Sequence, residues 1–119
     1  MSDDAGTSGE ASATLKEHLR SAVGMVPTDA LGWLFVARGM FNSQPPRYEW
    51  AIAAASHTLR HPQTMQEGQH ILAFSLHELG QLDAAKPAFE RSIHLGNEID
   101  WQMVVEIGID QFERNQKDE

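Results

Sequence analysis

The sequence predicts an all-α protein built as antiparallel helix hairpins, about six helices in all. Three observations carry this expectation. Apolar residues recur at helical spacing in six stretches. Nearly every stretch is closed by glycine or proline. No stretch alternates apolar and polar residues with the β-branched enrichment of a strand. The linkers are short, which sets neighbouring helices antiparallel.

Residues 1–11 are mostly Ser, Gly, Asp and Ala without an apolar period and read as a flexible acidic tail. The helical domain is expected over residues 12–114 and a frayed tail over 115–119. In the first stretch, Ser12 to Met25, Leu15, Leu19, Ala22 and Val23 share a face, and Thr14 and Glu17 have capping-box spacing. The second, Asp29 to Phe41, carries the stripe Trp33, Val36, Ala37 and Met40, with Thr28 or Asp29 as cap. Pro45-Pro46 breaks the chain. The third, Arg47 to Arg60, presents Ala51, Ala54, Ala55 and Thr58, small residues that admit a close neighbour. The fourth starts at Thr64, with Glu67 as a second capping box, buries Ile71, Leu72, Ser75 and Leu76, and ends at Gly80. The fifth starts at Asp83, tolerates Pro87 near its first turn, and faces Ala85, Phe89, Ser92 and Ile93 inward. The sixth, Asp100 to Arg114, places Trp101, Val104, Val105, Gly108 and Phe112 on one side.

Composition narrows the function classes. Hydrophobic residues make up 41%, enough for a core. No apolar run is long enough to span a membrane, and the start lacks the basic and apolar segments of a secretory signal. A cytoplasmic location is expected, with the periplasm left open. The absence of cysteine excludes disulfides, thiolate metal sites and cysteine nucleophiles. Seventeen acidic against nine basic residues give a charge of −8 without a basic cluster. That speaks against nucleic acid and anionic membrane as partners, and for a neutral or basic protein partner.

Internal repetition sharpens the picture. Leu72-Ala73, Leu76, Gly80, Ala85, Phe89 and Ser92 form one unit, and Trp33, Val36-Ala37, Met40, Ala51, Ala54, Thr58 and Pro62 form a looser one. Trp101, Val104-Val105 and Gly108 begin a third, and Asn97 stands where the second unit would end in proline. This pattern resembles the tetratricopeptide repeat family over residues 28–112. The resemblance implies a helical-repeat solenoid whose first and last helices act as caps. The segment from Pro27 to Ala55 is also similar to helical-repeat proteins of bacterial cytochrome c assembly, through Pro27, Asp29, Trp33, Arg47 and Tyr48. Ala37 stands there where glycine is common.

The family uses the first helix of each hairpin to line a groove for a peptide. Carried over, the groove residues are Leu34, Arg38 and Phe41, together with Leu31 and Asn42, from the second helix. The fourth contributes Glu67, His70, Phe74, His77 and Glu78, and the sixth Gln102 and Glu106. The bland alternatives are that Phe74 packs against a neighbouring helix and that Arg38 forms a surface pair with an acid such as Glu67. His57 and His61 have the i, i+4 spacing of a helical chelate, but Thr58 stands where a zinc-protease motif needs Glu, and no third ligand is evident. No nucleophile motif, phosphate loop or paired-acid arrangement is present. The expectation is a binding adaptor without cofactor, metal or catalytic residues. The alternative is a structural subunit of a bacterial assembly, held through its terminal helices, with a homodimer as one form.

Overall fold

The structure is a computed structural model that describes residues 4–117, with side chains from Gly9 onward. It consists of α1 (Asp4–Ala22), α2 (Ala30–Phe41), α3 (Tyr48–Ser56), α4 (Met65–Glu78), α5 (Leu82–His94), a 3-10 turn (Glu98–Asp100) and α6 (Trp101–Lys117). The expected all-α class and helix number hold, and no strand occurs among the described residues.

Helix ends follow local chemistry in part. Gly24, Gly80 and Gly96 carry φ of 87°, 78° and 110°, the left-handed geometry that stops α1, α4 and α5. Asp29 is extended and accepts a bond from the Gly32 amide at 2.9 Å, as an N-cap does.

Both capping boxes are corrected. Thr14 lies inside α1, because the helix begins at Asp4 and runs through most of the stretch expected as a tail. Ala11 packs on the core there and gives that extension something to hold. Residues 1–3 of the expected tail, and 118–119 of the other, lie outside the described residues. Thr64 does precede α4, but its hydroxyl donates to the Thr58 carbonyl at 2.9 Å instead of accepting from α4.

Helix α3 stops at Ser56, short of the expected Arg60. The amides of His57 and Thr58 bond three residues back, to Ala54 and Ala55, which tightens and closes the helix. Pro87 lies just after the first turn of α5, within the expected bounds, and leaves the Asp83 carbonyl without an amide donor four residues on. Helix α6 extends past Arg114 to Lys117.

The hairpins α2–α3 and α4–α5 pack closely, α3 lies on α4, α1 lies mainly on α3, and α6 lies on α5. Buried Ala51, Ala53, Ala54 and Ala55 let α3 sit close between its neighbours. The tightest crossing is Gly68 of α4 against Thr58: a Cβ at Gly68 would stand 1.7 Å from the Thr58 Oγ1. One core cluster joins Leu15, Leu19, Trp33, Leu34 and Ile71 to the alanines of α3. A second surrounds the fully buried Phe89 with Ala73, Ala85, Ala88 and Ile107. Buried Gln69 is satisfied by the Ala88 carbonyl at 3.1 Å.

The inner face of α6 is also corrected. Met103, Val104 and Ile107 pack on the second cluster, whereas Trp101, Val105 and Phe112 are 57%, 49% and 62% exposed. No helix among the described residues is long and apolar enough to cross a membrane.

Candidate functional site

Helix α4 lies beside α2, and the 3-10 turn that leads into α6 is tied back to it. The tie is Asn97. Its side-chain amide donates to the Gln66 carbonyl at 2.8 Å and to the Ser92 hydroxyl at 2.7 Å. A proline here could donate neither bond.

Beside the tether, Arg38, Glu67 and His70 lie along one face of α2 and α4. Arg38 of α2 makes a two-pronged ion pair with Glu67 of α4. The same guanidinium lies over the Phe35 ring, 4.9 Å from its centre. One turn along α4, His70 Nδ1 is 3.0 Å from the carboxylate of Asp100, which is fully buried just ahead of α6. A cleft of about 260 Å³ separates α4 from the turn, lined by Gln66, Glu67, His70, Asn97 and Ile99.

The pair sets its own electrostatics. The hydrogen bonds from Arg38 hold the Glu67 carboxyl below the usual glutamate range, and Glu67 in turn raises the Arg38 guanidinium. Both side chains are about two-fifths exposed, so water screens the attraction and its role is positional rather than stabilising.

The structure places the sequence-predicted groove residues unequally. Arg38, Glu67 and His70 come together. Leu31 is exposed on α2 and lines a separate recess with Trp33, His57 and His61. Leu34 is 3% exposed and belongs to the core, not to a groove: its helix buries a wider arc than the stripe Trp33, Val36, Ala37 and Met40 suggested. Phe41 turns its edge to Tyr48 at 5.8 Å and packs on the first cluster. Phe74 is half-buried, edge-on to Phe89 at 4.9 Å and beside His70 at 4.7 Å, so it braces the second cluster. His77 stands 6.3 Å from the Phe89 ring, and Glu78 is exposed beside it.

Sequence reasoning missed Phe35, Ile99 and Asp100. Phe35 and Ile99 are 55% and 75% exposed. The signal for Ile99 was available, as an isolated large apolar residue in a polar linker.

His57 and His61 do not form the helical pair their spacing allowed, because α3 has ended before either. His57 stacks on Trp33 at 4.2 Å and hydrogen-bonds Ser12 at 3.1 Å, while His61 is exposed. Burial holds the His57 pKa below its usual 6.5, and Lys16 adds to the effect. Among the described residues no group of three or more His, Asp or Glu could hold a metal ion.

No family model, curated protein or solved structure matches this chain.

Proposed function

We propose that this chain is a protein- or peptide-binding adaptor of tetratricopeptide-like design, and that its contact face is the surface shared by α2, α4 and the 3-10 turn. One observation carries the reading. Phe35 and Ile99, both more than half exposed, stand on the two sides of the fixed Arg38–Glu67 pair. Neither side chain is needed to close the core, and each is of a size that anchors a partner's apolar side chain. The ion pair between them keeps Arg38 and Glu67 ordered before any partner arrives, which lowers the entropy lost on binding. The chain's charge of −8 favours a neutral or basic partner.

The test is selection of binders from a displayed random-peptide library, followed by affinity measurement on variants of matched helicity. Phe35→Ala and Ile99→Ala are each expected to weaken the selected peptides by roughly tenfold, about 1.4 kcal/mol. Selected peptides that bind both variants as tightly as the native chain would place the contact elsewhere.

A further inference from the structure

We infer that α6 carries a second docking face, separate from the α2–α4 surface, built to take a basic amphipathic helix of a partner protein. Helix α6 commits one side to α5 through Met103, Val104 and Ile107. On a helix of 3.6 residues per turn, Trp101, Val105, Ile109 and Phe112 fall on the opposite side, in one line along its length. They are 57%, 49%, 53% and 62% exposed. A straight apolar line on a rod-shaped element complements another rod, so the matching ligand presents apolar residues at i, i+3 or i+4, and i+7.

Size is adequate for such a contact. Two aromatics of about 150–250 Å² each, more than half exposed, and two β-branched residues supply several hundred Å² on this side alone. With a matching partner surface and the polar rim, the contact approaches the roughly 1,000 Å² of a specific interface.

The rim decides the partner's charge. Gln102, Glu106 and Glu113 share one flank of the line and are exposed, and Glu98 is exposed in the turn just ahead of α6. The other flank holds Gly108 and Asn115, and the Lys86 side chain that lies against Gly108 there is paired to Glu90 at 2.9 Å. Of the nearby cations, Arg114 is held by Asp110 at 3.1 Å, and Lys117 stands at the far end. Lysines or arginines beside the partner's apolar line therefore meet Glu98, Glu106 and Glu113, with Lys117 on that flank only beyond the end of the line and Lys86 already paired to Glu90. A second copy of this chain fits less well. It carries the same charge of −8, and antiparallel pairing of two such lines sets Glu106 of one chain beside Glu106 of the other.

Two synthetic helical peptides of about 18 residues, matched to the length of α6, test this. Both carry the same leucine line, one with lysine flanks and one with glutamate flanks. Fluorescence anisotropy is expected to show binding of the lysine peptide, weakened by salt, and at least about tenfold weaker binding of the glutamate peptide. Val105→Asp, at an exposed position that leaves the fold intact, is expected to abolish binding. The Glu106→Lys, Glu113→Lys variant is expected to exchange the two preferences. Equal affinity for both peptides, or unchanged binding by Val105→Asp, would overturn the inference. So would a native chain that sediments as a dimer and is made monomeric by Val105→Asp, since the occupant is then a second copy.

Discussion

Leu34 and Phe35 are adjacent apolar residues with opposite duties. Leu34 fills the first core cluster and Phe35 points to solvent. Leu34→Ala is expected to cost about 2–5 kcal/mol in urea unfolding, the range for deleting a buried leucine. Phe35→Ala is expected to stay within about 0.5 kcal/mol, as for other surface changes, while still weakening partner binding. Gly68 is the second single-residue constraint. Gly68→Ala forces its Cβ onto the Thr58 hydroxyl and is expected to destabilise by about 1–3 kcal/mol. Thr58→Ala in the same chain removes that oxygen and is expected to restore part of the loss. His57 supplies a pH dependence. Its folded pKa lies below the unfolded value near 6.5, so the unfolded chain binds more protons between the two. The contribution is fully present above about pH 6.5 and is lost as pH falls through the folded pKa. The urea midpoint is expected to drop on acidification through this window. In His57→Phe, which keeps a ring against Trp33, that part of the drop is expected to vanish.

Among the elements, the connection from α3 to α4 depends on two threonines. Thr58 closes α3, and its carbonyl accepts from Thr64, which is 2% exposed. Thr64→Val keeps the shape but orphans a carbonyl, and a loss of about 1–3 kcal/mol is expected on thermal or urea unfolding. A native-like stability for this variant would show that water replaces the bond. This connection also shows why part of the architecture was hidden in the sequence. A threonine followed three residues later by glutamate has the spacing of a cap. Whether it caps depends on what else its groups can reach. At Thr64 the competitor is the end of α3, and at Glu67 it is Arg38 across the surface. Those partners come from tertiary contacts, which local spacing does not encode. Helix number, the Asp29 cap and the glycine stops were legible because each depends on a few adjacent residues. The side on which α6 packs was not. Apolar residues lie on both of its sides, so periodicity offered two faces and only contact with α5 selects one.

Taken as a whole molecule, the described chain is two hairpins, α2–α3 and α4–α5, with α1 against α3 and α6 against α5, and its exposed large apolar residues include one group on the α2 and 3-10-turn side and one along α6. The first place was half legible. The repeat pattern directed attention to the first helices of the hairpins, and Arg38, Glu67 and His70 do meet there. Phe74 and Leu34 were drawn into the same group because an aromatic and a leucine off the main stripe look exposed when each helix is considered alone. Packing of α4 on α5 and of α2 on α3 consumes them. Ile99 was missed because its position depends on the tether from Asn97 to α4, a contact between residues 31 apart in sequence. The measurement that tests the central claim most directly is an amide hydrogen-exchange footprint of the native chain with a library-selected peptide bound. New protection is expected at the exposed edge of α2 around Phe35, along α4 from Glu67 to Phe74, and in the turn at Ile99. Protection confined to other helices, with these segments unchanged, would contradict it.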